Sequence, residues 1–309
     1  MRTAFIETLF EMASADERIT LVVGDLGFGV VTKFMRELPR QFVNAGVAEQ
    51  NMTGLAAGMA LSGKIVFTYS IANFPVLRCL EQIRNDVCYH NANVKIVAVG
   101  GGMAYGALGM THHATEDIAI IRALPNILIV APNDPVEARL ATKAVAEHPG
   151  PCYLRLGRAG ESIVHTSDIA FELGKAITVL EGTDLTIIVT GGLLQNALSA
   201  AESLTRKGIR PRVLSMHTVK PLDNAAILAA ARETEAIFTV EEHSIVGGLG
   251  GAVAELLAEQ DQQVKFKRIG LDNAFASKVG DQDYLRREYG LDDAGILSLI
   301  EDSILAQVS

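Results

Sequence analysis

The stretch FVNAGVAEQNMTGLAAGMALSG, residues 42–63, holds one charged side chain, Glu49, in a run that is otherwise small, apolar or uncharged polar. Glu49 stands at the predicted start of a helix over 48–62. There Gly54, Ala57 and Gly58 fall three and four residues apart, so one face is nearly bare backbone. Such a face lets another helix or subunit approach closely. Two readings of the carboxyl are open at this point. It is either an acid favoured at a helix N-terminus by the macrodipole, or a carboxyl in apolar surroundings that keeps a proton and donates a hydrogen bond. Other candidates follow along the chain: Asp25 in VGDLGFG, Ile71 and Phe74 in SIANFPVL, and His112 and His113 in GMTHH behind a glycine-rich loop. Arg155 in YLRLGR closes the set, with Arg158 as its rival. An imidazole titrates near neutral pH and suits proton transfer at hydroxyls. A guanidinium suits a phosphate, through charge-assisted bonds.

The elements around these residues alternate short apolar runs with amphipathic segments, the pattern of an α/β fold with mostly parallel sheets. In the first half ITLVVGD (19–25), KIVFTYS (64–70), VKIVAVGG (94–101) and NILIVAPND (126–134) read as strands. Helices are predicted at about 3–13, 48–62, 74–90, 115–123 and 134–147. Asn133-Asp134-Pro135 is a helix start, a capping side chain followed by Pro at the first helical position. After PCYLRLGR (151–158), residues 160–184 read as a linker with hairpin-like strands. A second alternation follows: DLTIIVTG, a helix over 194–207, RPRVLSMH, a helix near 223–232, EAIFTVEE, a helix near 249–259, and VKFKRIG. Two doubly wound domains result, 1–165 and 166–309.

A net charge of −9 over 309 residues argues against a nucleic-acid or anionic-membrane partner. No apolar run is long enough to span a bilayer. Cys79, Cys88 and Cys152 are odd in number and lack metal-ligand spacing, which fits free thiols in a reducing cytoplasm. GGLGGAV (247–253) lacks the G-x-G-x-x-G spacing, so dinucleotide binding is rejected. His217 and His243 read as structural or interfacial.

GVAEQNMTGLAAGMALSGKIVFTYSIANF, GMTHHATEDIAIIRALPNILIVAPNDPVEA and HTVKPLD (217–223), in that order, resemble the transketolase family of thiamine-diphosphate enzymes over nearly the whole chain. The resemblance implies a pyrimidine-binding domain followed by a transketolase C-terminal domain, and transfer of a two-carbon ketol unit from a ketose to an aldose, phosphorylated or not. It assigns Glu49 to the cofactor's aminopyrimidine ring as the catalytic acid and Phe74 to stacking on that ring, in a pocket that Ile71 and Leu77 make more aliphatic than usual. Asp25 falls near the cofactor. His112 is implied at the reacting centre and the substrate oxygens, with His113 beside it, and Arg155 at a substrate phosphate. The protein's part is to orient and tune; the cofactor carries the carbanion chemistry. Two departures, Ala107 and Leu108 before GMTHH and VGGGM (99–103) after its strand, fall where the family recognises sugar hydroxyls or phosphate, and leave the sugar open.

The family holds the diphosphate through Mg²⁺ with a Gly-Asp-Gly motif, and none occurs here; GDL (24–26) and GDQ (280–282) do not serve. The expectation is therefore that this chain is the C-terminal subunit of a split transketolase. It carries no metal ligands of its own, and an N-terminal, diphosphate-binding subunit completes a cytoplasmic α2β2 heterotetramer. Alternatives are the β subunit of a 2-oxo acid dehydrogenase, a fragment like deoxyxylulose-phosphate synthase, and a non-catalytic assembly subunit.

Overall fold

The computed structural model describes residues 1–166, 169–261 and 263–305. Ser167 and Asp168, inside the predicted linker, lie outside the described residues. The elements run α1 (Arg2–Ala15), β1 (Ile19–Val23), α2 (Thr32–Glu37), β2 (Phe42–Asn44), α3 (Glu49–Leu61), β3 (Ile65–Ile71), α4 (Phe74–Leu77), α5 (Leu80–Gln82), β4 (Val94–Val99), α6 (Asp117–Arg122), β5 (Leu128–Val130), α7 (Pro135–Glu147) and β6 (Cys152–Leu156). The second half runs β7 (Ile177–Leu180), β8 (Leu185–Thr190), α8 (Leu194–Arg206), β9 (Pro211–Ser215), β10 (Thr218–Lys220), α9 (Asn224–Glu233), β11 (Ala236–Ser244), α10 (Leu249–Ala258), β12 (Lys265–Leu271), α11 (Gln282–Glu288) and α12 (Asp293–Leu305).

Two sheets form. The first has the order β10-β5-β6-β4-β3-β1-β2 and the second β12-β11-β8-β9-β7. Both are parallel except for one edge strand each: β10 runs antiparallel to β5, and β7 antiparallel to β9. β1, β4, β6 and β8 are buried along their whole length, as expected of strands covered by helices on both faces. This is the α/β layering that the alternating pattern implies.

Three local differences bear on the site. The helix expected over 74–90 breaks into α4, α5 and a π-type turn at Ile83–Cys88, with Pro75 in its first turn. The HTVKPLD stretch, expected in the second domain, supplies β10, which closes the edge of the first sheet; Ala131 donates to the His217 carbonyl at 2.7 Å. The linker packs against α7, where the Val164 and His165 amides donate to Asp134 Oδ2 at 2.9 Å each. Asp134 also accepts from the Glu137 amide at 2.8 Å, with Pro135 at the first helical position, the start that the sequence encodes.

Candidate active site

In a parallel sheet the carboxyl ends of the strands share one edge, and the loops that leave it gather side chains distant in sequence. Here that edge carries Gly24-Asp25 after β1, Phe74 after β3, and the loop 100–116 after β4. Glu49 joins them because α3 starts close to the end of β1. A Cβ on Gly24 would stand 3.7 Å from the Glu49 Cγ.

Glu49 is 4% exposed, yet it lies at the first position of α3, where no side chain caps the free amides. Its carboxylate accepts from Arg78 Nη1 at 3.2 Å on both oxygens. The Arg78 guanidinium lies over the Phe74 ring, 4.3 Å from its centroid. Phe74 meets the His112 ring edge-on at 5.2 Å between centroids. Glu49, Arg78, Phe74 and His112 thus form one contiguous row. Asn73 pins the row by donating to the Thr111 carbonyl at 2.7 Å, and the Thr111 hydroxyl lies 3.1 Å from His112 Nδ1. The hollows on either side of it are open, and the apolar Val47, Leu77 and Met110 that line them are exposed.

The remaining predicted residues divide. Asp25 is exposed and adjoins this row through Gly24. Its backbone takes a positive φ of 53°, held by mutual bonds with Asn44 at 2.9 and 3.1 Å. Ile71 ends β3, half-buried, three residues before Phe74. His113 is buried and turned inward. Both its ring nitrogens lack a well-formed hydrogen bond, and burial pushes its pKa below the ordinary value, with the Gly106 backbone and the Glu242 and Glu116 carboxylates offsetting this only in part.

Arg155 lies apart from this row, inside the fold. It is 2% exposed and donates to Asp117 Oδ2 at 2.8 Å, the Ala114 carbonyl at 2.8 Å and the Glu242 carbonyl at 3.0 Å. Tyr153 shares Asp117 at 2.6 Å. A guanidinium so engaged joins the two sheets. Arg158, three residues on, is exposed, stacks over Tyr105 at 5.2 Å, and makes no ion pair among the described residues. It borders a polar hollow of about 460 Å³ together with Gln195, Asn196 and Arg286.

Arg78 is not signalled by the sequence. The one hint is its place a turn after Phe74. Among the described residues no group of three or more His, Cys, Asp or Glu is arranged to hold a metal ion, and no helix is long and apolar enough to cross a membrane.

The first domain of this α/β fold thus sets a buried acid at the head of a glycine-rich helix, with an aromatic and a histidine beside it. Residues 1–160 match the transketolase pyrimidine-binding domain and residues 174–296 the transketolase C-terminal domain, and the chain belongs to the transketolase family, which depends on thiamine diphosphate. Within it the chain corresponds to the C-terminal subunit of a split, two-chain transketolase. It is 45% identical over 297 residues to an apulose-4-phosphate transketolase subunit of Phocaeicola vulgatus, covering 96% of this chain and 94% of the relative. It is 39% identical over 292 residues to a 6-deoxy-6-sulfo-D-fructose transketolase subunit of Clostridium sp. (strain MSTE9), covering 94% and 90%. A solved structure described as a split gene transketolase, inactive beta4 tetramer, superposes with a TM-score of 0.91 at 37% identity over 98% of both chains.

Proposed function

We propose that this chain supplies the ring-binding half of a two-chain transketolase site, with Glu49 as the acid on the aminopyrimidine and Phe74 as the face it rests on. The single observation that carries this reading is the buried Glu49 carboxylate, open on one side to a flat partner that already lies against Phe74. When bound, thiamine diphosphate supplies the electron sink for breaking and making a carbon–carbon bond next to a carbonyl. The residues of this chain hold and orient. Glu49 fixes a ring nitrogen by a hydrogen bond, Phe74 and the aliphatic Ile71 and Leu77 exclude water from the ring, and His112 moves protons at substrate hydroxyls.

The diphosphate and its Mg²⁺ belong to the partner subunit in this reading, which the lack of a Gly-Asp-Gly motif in this sequence supports. The assembly is an α2β2 heterotetramer, with the exposed glycine face of α3 and the apolar rim around Glu49 turned to the neighbour. The substrate is a ketose with an anionic group at its far end. The two relatives are named for a sugar phosphate and a sulfo-sugar, and the free Arg158 suits either anion. Arg158 thereby takes the part that the family resemblance assigns to Arg155.

The test is reconstitution with a diphosphate-binding transketolase subunit. The complex is expected to bind thiamine diphosphate in a Mg²⁺-dependent way and to transfer two-carbon units, and Glu49→Gln to cut turnover by roughly 10²–10⁴, the size of a lost acid–base contribution. Tight Mg²⁺-dependent binding by this chain alone, or unchanged turnover in the variant, would refute the reading.

A further inference from the structure

Two open hollows meet at Arg78. The one at the head of α3, about 500 Å³, is lined by Val47, Glu49, Gln50 and Asn51; its neighbour, about 550 Å³, by Phe74, Leu77, Thr111 and His112. Arg78 lines both and stands as the partition between them. Its guanidinium bonds Glu49 and covers Phe74 at once.

A guanidinium is flat and delocalised, with N–H donors in its plane and faces that stack on aromatic rings. An aminopyrimidine shares the plane and the stacking face, and sets a ring nitrogen towards the acid where the guanidinium sets an N–H. The two positions assigned to the coenzyme ring are therefore already occupied, by a side chain of the same polypeptide. A ring laid on Phe74 and bonded to Glu49 would enter the volume that the guanidinium fills.

We propose that Arg78 is a self-ligand of the ring site. In the free chain it holds Glu49 and shields Phe74, and it swings out before a flat nitrogenous ring enters, merging the two hollows into one cleft. This rests on the reading of Glu49 and Phe74 as ring-binding residues. The release is easy. The Arg78 side chain is 51% exposed, it caps the end of a four-residue helix, and its guanidinium makes no other hydrogen bond among the described residues. A half-exposed ion pair and a half-exposed cation–π contact together hold the closed form by roughly tenfold. An apparent affinity falls by the fraction of open form, so the ring alone is handicapped by about that factor. The handicap is small beside the grip a partner adds at the diphosphate, so it disfavours thiamine fragments on the lone subunit while leaving the intact coenzyme free to seat in the complex.

The test uses the full chain and thiamine, which lacks the diphosphate, in a saturation-transfer NMR titration. Arg78→Ala and Arg78→Met are compared with the natural chain after circular dichroism confirms their fold. Both variants are expected to bind thiamine about tenfold more tightly, and Arg78→Lys to fall between. Adding Glu49→Ala to Arg78→Ala is expected to remove the gain. Equal or weaker binding by both Arg78→Ala and Arg78→Met overturns the self-ligand, while the ring site survives if Glu49→Ala still weakens thiamine. Absence of thiamine binding in every variant, or binding indifferent to Glu49→Ala, removes the ring site and the self-ligand with it.

Discussion

Two groups of charges occupy the first sheet's carboxyl edge, and they differ in how completely they are answered. At the joint between the sheets, Asp117, Arg155 and Tyr153 are buried, and Asp117 Oδ2 accepts from both of the others. Glu242 is saturated beside them by the Met103 amide at 2.6 Å, Arg286 at 2.6 Å and Gln282 at 2.8 Å. At the mouth, Glu49 has one side-chain partner among the described residues, through a single nitrogen at 3.2 Å on each oxygen, and that partner is half in water. A buried charge left with so weak a claim on it is a poor device for stability. The many-bonded group ties the two sheets together, and the few-bonded one leaves its carboxylate open to another partner.

The sharpest way to break this contrast is Asp117→Ala. It leaves the Arg155 charge buried and unpaired, and is expected to lower the unfolding free energy by about 3–5 kcal/mol, read by urea denaturation. Phe74→Ala, at the mouth, is expected to change stability by about 1 kcal/mol or less. In the reconstituted complex it is expected to weaken cofactor binding by roughly tenfold through the lost stacking and ring contact. Comparable stability losses at the two positions would erase the distinction.

Protons offer a finer probe, because two buried histidines shift in opposite directions. His113 has its pKa pushed below 6.5 by burial, so the unfolded chain binds the proton more readily. Its contribution to stability is fully present above pH 6.5 and fades as the pH falls towards the depressed value. His165 is also disfavoured as a cation by burial, but the Glu137 bond at 2.6 Å and the Glu137 and Asp134 charges prevail and raise its pKa. Its contribution is present below 6.5 and is lost as the pH rises through the raised value. His113→Asn is expected to flatten the acid limb of a stability–pH curve and His165→Asn the neutral limb. One variant flattening both limbs would contradict the assignment.

The fold is legible where pattern and chemistry agree, as at Asn133-Asp134-Pro135 and in the apolar strands. It is not legible where an element depends on a distant partner. β10 has only three residues and exists because β5 offers it an edge, and α11 and α12 are not marked after residue 271 because neither breaks a strand–helix alternation. The site divides the same way. Motif order points to Glu49, Phe74 and His112, which the structure brings into one row. Motif order points also to Arg155, which the structure keeps apart from the row, inside CYLRL, a strand buried at every position. Arg158, past the end of that strand, is exposed. Arg78 escapes notice because its meaning comes from contact with two residues 29 and 4 positions away, which no local pattern displays.

The smallest effect separates the free chain from the assembled one. Gly54 and Gly58 lie on the outer face of α3, helical, with nothing within 4 Å of where a Cβ would stand. Judged on this chain alone, they are residues in need of a reason, since a glycine inside a helix costs up to about 1 kcal/mol relative to alanine. Gly58→Ala is therefore expected to raise the unfolding free energy of the isolated chain by a few tenths to about 1 kcal/mol. If the bare face exists so that another subunit can come close, the same methyl group meets backbone in the complex, and subunit affinity falls while the lone chain grows more stable. Opposite signs in the two measurements, urea denaturation and sedimentation equilibrium, are what a close-packed interface requires. A variant that stabilises both states would place the neighbour elsewhere and leave the open mouth around Glu49 without the chain proposed to close it.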